Sequence, residues 1–247
     1  MIHAGIAGLG RWGQILVDSV QGRSEVIRVT AGCTGRKERA RHFCGQKVID
    51  LRDSLDDLLS DPALDAIILA TPHSQHRDQI IACAEAGKHV FVEKPFTLTK
   101  ADAEAAIDAL ISLLGPISEV TATSERRSTP VPIDDVTFIT LRFAGGATGY
   151  FSTVFATPRD WRVQVLGDQG WAEMRGHERL TVKRRDMAFE DVQYFDRVDI
   201  EKAELEAFAE AAGAGAPYPV PWEDIVHATA VLEAVIKSGK TGETVRL

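Results

Sequence analysis

Cysteine is scarce in this chain. Three occur in 247 residues, at 33, 44 and 83, with no Cys-x-x-Cys spacing. That argues against a disulfide framework and against a finger-type zinc site, and makes buried, reduced thiols in a cytoplasmic protein the simplest expectation. Histidine and cysteine show no short ligand spacing, so no metal is expected. No uninterrupted apolar run approaches the ~18 residues of a membrane-spanning helix. Positive charge is also in deficit: 28 Lys and Arg face 36 Asp and Glu, a net charge of −8. This excludes the basic face of a general nucleic-acid binder. Met1 leads straight into an apolar strand, so no signal peptide is expected. Repeats and low-complexity tracts are absent apart from the small-residue stretch 211–216.

What is present is informative from the first residues. The apolar run Ile2–Ala7 ends in Gly8-x-Gly10-x-x-Gly13, and a helical stretch (Gly10–Val20) follows at once. A strand, a tight glycine turn and a helix N-terminus together form the context that a dinucleotide fingerprint requires. Gly8 permits the sharp turn, Gly10 lets a pyrophosphate approach the backbone, and Gly13 lets the helix lie close to the strand. The helix start offers N–H groups and partial positive charge to the phosphates. Arg11 and Trp12 stand inside this loop, with Trp12 packing either on the cofactor or on the sheet.

Strands at Val26–Cys33, Ala66–Ala70 and His89–Val92 alternate with helices at Arg36–Cys44, Ser54–Ser60 and His76–Ala86. Such alternation implies a parallel sheet with crossover helices. Ser54 is a plausible helix cap, and Gly87 stands where a left-handed terminal residue belongs. About twenty residues beyond the glycine motif the second strand should meet the adenosine ribose, where an NAD site usually carries a carboxylate. This chain has Cys33-Thr34-Gly35-Arg36-Lys37 instead. Thr34 and Arg36 could bind a 2′-phosphate, which favours NADP slightly over NAD. The competing reading makes Arg36 and Lys37 solvated residues of the next helix.

Two more motifs sit at strand ends, where ligands bind in open parallel sheets. Thr71-Pro72-His73-Ser74-Gln75-His76 follows one strand, and Glu93-Lys94-Pro95 follows His89-Val90-Phe91-Val92. With the glycine motif, these strings make the chain resemble the glucose-fructose oxidoreductase/inositol dehydrogenase family (Gfo/Idh/MocA). The resemblance implies an α/β fold: an N-terminal Rossmann domain with a doubly wound parallel sheet (1–115), then a C-terminal α+β domain on an open, mostly antiparallel sheet (116–247). It implies that Lys94 lies beside the nicotinamide and the substrate hydroxyl, that Pro95 is the rigid turn aiming it, and that the Thr71–His73 loop lines the nicotinamide half of the cofactor. Glu93 and His76 complete the expected cofactor neighbourhood. The chemistry agrees: removing hydride from an alcohol leaves a proton, and a partly desolvated lysine can take it or polarise the forming carbonyl. His76 is a candidate catalytic partner of Lys94, or a helix-start residue making a local hydrogen bond. Lys94 taken alone would read as a surface lysine.

Beyond Pro95 the chain departs from the family pattern. The apolar stripe Ile107, Leu110, Ile111 and Leu114 marks a helix capped by Thr99 and ended by Gly115-Pro116. Strands are expected at Ile117–Ser124, Asp135–Phe143, Ala147–Ala156, Trp161–Leu166, Gly170–Arg175, Arg179–Lys183 and Thr244–Leu247. Gly145-Gly146 should turn a hairpin. Helices are expected at Glu201–Ala212 and Trp222–Ser238. Trp161, Trp171 and Trp222 read as core or sheet-face residues, and Tyr150 and Arg162 as facing either a polyol or an open sheet face. The family's Asp-x-x-x-His element, which the resemblance makes the source of an acid/base, has no counterpart: Ala105 stands where its partner to Asp108 would. The leading expectation is an NAD(P)-dependent oxidoreductase acting on a sugar, polyol or related hydroxy compound, associating as a homodimer or homotetramer through its C-terminal sheet. The alternative is a cofactor-binding, catalytically weak member acting as a sensor or structural subunit.

Overall fold

The computed structural model describes residues 1–93, 101–158 and 160–247, with backbone alone for 101–106. Lys94, Pro95 and the Thr99 cap lie outside the described residues. The chain divides into two compact units, Met1–Ala101 with Asp199–Trp222, and Asp102–Val198 with Glu223–Leu247.

The first unit is a five-stranded sheet in the order β3-β2-β1-β4-β5. Its strands are β1 (Ile2–Ala7), β2 (Ile27–Cys33), β3 (Asp50–Leu51), β4 (Ala66–Leu69) and β5 (His89–Val92). Every neighbouring pair is parallel, so all C-terminal ends share one edge. The order reverses between β1 and β4, the switch point where open α/β sheets bind ligands. The crossover helices are α1 (Arg11–Val20), α2 (Lys37–Lys47), α3 (Leu55–Leu59) and α4 (His76–Glu85). Ala66, Ile67, Ile68 and Leu69 are fully buried, as a central strand covered on both faces should be. Ser54 caps α3 in a reciprocal capping box with Asp57, and Gly87 takes φ +67° just beyond α4.

One helix of this unit comes from far along the chain. α6 (Ile200–Ala214) buries Leu205 and Ala209 in the same apolar cluster as Ile6, Leu16, Val29, Ile68 and Phe91, and Phe208 meets Phe91 edge-on at 5.6 Å. The boundary expected at 115/116 therefore differs from the division seen. The first unit ends near Ala101 and regains 199–222, the stretch between β12 and the second unit's final helix and strand. Helix α6 was legible as a helix, but an amphipathic pattern does not say which sheet it covers.

The second unit pairs β6 (Ile117–Glu125), β7 (Val136–Phe143), β8 (Thr148–Val154) and β13 (Val245–Arg246) into an antiparallel sheet, order β13-β6-β7-β8. Helices α5 (Ala101–Leu114) and α7 (Trp222–Thr241) cover one face. Ile107 and Ile111 pack there with Val120, Ile139, Phe143 and Val231. A second antiparallel meander joins β9 (Arg162–Gly167), β10 (Gly170–Arg175), β11 (Arg179–Arg184) and β12 (Asp191–Tyr194). The short strands β3 and β12 carry little periodicity and were not anticipated. Trp222 is 66% exposed at the start of α7, which corrects its reading as a core or sheet-face residue. Among the described residues, no helix is long and apolar enough to cross a membrane.

The link between β6 and β7 is fixed by one carboxylate. Asp135 is fully buried and accepts the backbone N–H groups of Arg127, Ser128 and Thr129 at 2.7, 2.6 and 2.5 Å. Burial alone would raise its pKa, but these donors outweigh it and hold the carboxyl below its ordinary value. A depressed folded-state pKa gives stability that is present above the unfolded value of about 4 and is lost as pH falls through the folded one. Asp135→Asn turns an amide N–H₂ toward donors and should lower Tm at pH 7 by roughly 5 °C or more. It should also flatten the acid limb of a Tm-versus-pH profile. An unchanged limb would remove Asp135 from this account.

Candidate cofactor site

The turn after β1 is built so that only glycine fits at two positions. Gly8 adopts φ +100°, and a Cβ there would lie 2.4 Å from the Ala70 carbonyl oxygen. A Cβ on Gly13 would lie 1.9 Å from the Gly8 carbonyl oxygen. Helix α1 thus sits on the turn, and the turn sits on the peptide that ends β4. Gly10 differs: a Cβ there would meet no atom within 4 Å among the described residues beyond its chain neighbours. Its missing side chain leaves room on the outside of the loop. Gly10 also caps α1 without a side-chain hydrogen bond. The first intrahelical N–H is that of Gln14, to the Gly10 carbonyl at 3.0 Å, so those of Arg11, Trp12 and Gly13 precede the ladder. This is the arrangement that binds a pyrophosphate. Trp12 is 43% exposed, which places its ring outside the sheet core.

The neighbouring loop is held by His76. This residue is buried and its Nε2 lies 2.9 Å from the Thr71 carbonyl oxygen, which assigns the proton to Nε2. Burial pulls the imidazole pKa below its usual value, nearby His73 acts in the same direction, and the Thr71 contact opposes them. His76 is therefore neutral at pH 7. Its Nδ1 is buried with no partner among the described residues. Through this contact the buried His76 side chain holds the start of the Thr71–His73 loop. Pro72 is exposed and His73 half-buried in the single 3₁₀ turn His73–Gln75. Glu93 follows β5, its N–H bonded to the Leu69 carbonyl at 2.9 Å.

At the end of β2, Thr34, Gly35, Arg36, Lys37, Glu38, Arg39 and Asp53 line an open groove of about 550 Å³. The Thr34 hydroxyl makes only a long 3.5 Å contact with the Arg36 N–H. Lys37 is ion-paired with Asp53, while Glu38 is engaged by Arg41 at 2.9 Å. Arg36 and Arg39 carry no ion pair among the described residues. Asp53, missed in the sequence, reaches the groove from the β3–α3 turn; a strand of two residues left no signal for it. Beneath the groove, burial pushes the Cys33 thiol up to about 11, helped by Asp57 and opposed by Lys37, so it stays neutral and is no nucleophile. All three cysteines are buried and free.

The expected site residues therefore fall along one sheet edge: Gly8, Gly10, Arg11, Trp12 and Gly13 after β1, Thr34 and Arg36 after β2, Thr71 to His76 after β4, and Glu93 after β5. The residues present fit a dinucleotide. The protein defined by this fold and edge is a nucleotide-binding α/β protein with a second, antiparallel α+β unit.

Residues 2–113 match the oxidoreductase family with an NAD-binding Rossmann fold, GFO_IDH_MocA, and residues 106–173 match the GFO/IDH/MocA C-terminal domain. The chain belongs to the Gfo/Idh/MocA oxidoreductase family. It is 38% identical over 109 residues to the scyllo-inositol 2-dehydrogenase (NAD(+)) of Bacillus subtilis, a match covering 42% of this chain and 31% of that protein. It is 32% identical over 104 residues to the scyllo-inositol 2-dehydrogenase (NADP(+)) of the same organism, covering 42% and 28%. The matched segment thus spans less than a third of either relative. Levoglucosan dehydrogenase, solved with NADH, superposes with a TM-score of 0.87 at 16% identity, covering 99% of this chain and 98% of that one; the likeness is one of fold.

Proposed function

We propose that the chain is an NAD(P)-dependent dehydrogenase acting on a CH–OH group of a sugar, polyol or related compound. The observation that carries this is the β1–α1 turn, where Gly8 and Gly13 are sterically required while Gly10 leaves open space at an uncapped helix start. The relatives matched over this segment are inositol dehydrogenases, which supports a polyol-like substrate. When bound, the dinucleotide supplies a nicotinamide carbon that accepts or returns a hydride. Arg11, Trp12 and Gly13 N–H groups hold the pyrophosphate. Thr34 and Arg36 face the adenosine ribose, and the Arg36 guanidinium, which has no ion-pair partner among the described residues, favours a 2′-phosphate there. His76 holds the Thr71–His73 loop against the nicotinamide half. Lys94, with Glu93 before it and Pro95 after it, holds the reacting oxygen and moves its proton.

Titration of the protein's tryptophan fluorescence with NADPH and NADH, followed by absorbance of reduced nicotinamide with a panel of polyols, tests this reading. Binding and turnover are expected. Binding without turnover on any polyol would leave the cofactor-binding, non-catalytic alternative, and no binding of either nucleotide would overturn both. Lys94→Ala should lower kcat by about 10²- to 10⁴-fold while nucleotide affinity changes little. Retained turnover in that variant would remove Lys94 from the chemistry.

A further inference from the structure

The groove at the end of β2 holds a charge arrangement that its composition alone does not explain. Three basic residues line it, Arg36, Lys37 and Arg39, and two acidic ones, Glu38 and Asp53. Glu38 is held by Arg41. Among the described residues that leaves two guanidiniums without a carboxylate and one ion pair, Lys37 with Asp53. The two members reach the groove from different elements, Lys37 as the first residue of α2 and Asp53 from the turn before α3. The Asp53 side chain is 87% exposed and that of Lys37 is 32% exposed, so the pair closes nothing off and its contribution to folding is small. Its effect falls on whatever charge enters the groove.

We infer that the Lys37–Asp53 ion pair sets how strongly this groove discriminates between 2′-phosphorylated and unphosphorylated adenosine. The inference rests on the reading that the groove receives the adenosine ribose. Paired, Lys37 is held from a phosphate and Asp53 is kept from repelling one, so recognition of the phosphate falls to Arg36 and Arg39. Freed from Asp53, Lys37 adds a third cation facing the phosphate. Freed from Lys37, Asp53 presents a carboxylate that repels a dianion and accepts a hydrogen bond from a ribose hydroxyl, the interaction that favours NAD. The two partners of one ion pair therefore push selectivity in opposite directions.

The test uses the full chain and two small probes, adenosine 2′,5′-bisphosphate and 5′-AMP, measured by calorimetry, with NADPH and NADH followed by fluorescence. Asp53→Asn should raise the affinity ratio of bisphosphate to AMP by about 3- to 10-fold, and Lys37→Ala should lower it by a similar factor. The double variant should fall between them, and Lys37→Arg should behave as the parent. All of these differences should shrink as salt is raised from about 0.05 to about 0.5 M. A purely structural role would move both single variants the same way. Ratios that shift in one direction, or stay within about twofold of the parent, overturn the inference while leaving the proposed function standing. Failure of the parent protein to bind either nucleotide overturns both.

Discussion

Gly13→Ala should cost on the order of 3 kcal/mol or more and lower Tm by roughly 6–12 °C. The new Cβ would stand 1.9 Å from the Gly8 carbonyl oxygen, a backbone atom that cannot swing aside. Helix α1 would have to lift from the turn, carrying the N–H groups of Arg11 and Trp12 with it. Nucleotide affinity should fall by ~100-fold or more, equivalent to about 3 kcal/mol. Gly10→Ala should behave differently although it lies in the same motif. Its backbone is extended at φ −74° and ψ −171°, which alanine adopts without strain, and the added methyl meets no atom among the described residues beyond its chain neighbours. Tm should stay within about 1 °C or rise slightly, as expected when a glycine in a permissive conformation is replaced. Affinity for NADH and NADPH should nevertheless fall by about 10- to 100-fold, because the methyl occupies the space a pyrophosphate would approach. Thermal melts and fluorescence titrations of the two variants check this directly. Native affinity in Gly10→Ala would remove the loop from cofactor binding.

Leu205→Ala is expected to destabilise the first unit by about 2–5 kcal/mol, as a fully buried leucine truncated in a core does. Leu205 lies in α6, beyond β6 to β12 in sequence, yet it packs with Ile6, Leu16 and Phe91. Its loss should therefore speed amide hydrogen exchange in β1, β2 and β5 and leave β6, β7 and β8 protected. Val231→Ala in α7 should do the reverse, since Val231 is fully buried among Val120, Ile139 and Phe143. Faster exchange in β6–β8 from Leu205→Ala would show that α6 does not belong to the nucleotide-binding unit.

The legible parts of this chain share one property: their signals are local. The glycine turn, the Ser54 cap and the Gly145-Gly146 hairpin are each written within a few residues, because tight turns and caps demand particular residue types. The hairpin forms as expected, with Gly146 at φ +91° between β7 and β8. The stripe Ile107, Leu110, Ile111 and Leu114 likewise predicts the buried face of α5, with Ile107 and Ile111 almost fully enclosed. The strands β3 and β12 escaped because so few residues show no period and, unlike β4 and β5, they carry no continuous apolar run.

The sequence by itself determined that a parallel α/β unit begins at Ile2, that a glycine turn follows its first strand, and that the expected cofactor residues stand at strand ends. Local sterics and hydrophobic periodicity are sufficient for that. Only the tertiary structure decided that α6 returns across the chain to cover the first sheet, that His76 is buried as a clamp on the Thr71 carbonyl, and that Asp53 meets Lys37 across the groove. Each of those depends on contacts between residues far apart in sequence, and such contacts are chosen by which apolar faces and charges the folded sheet brings together.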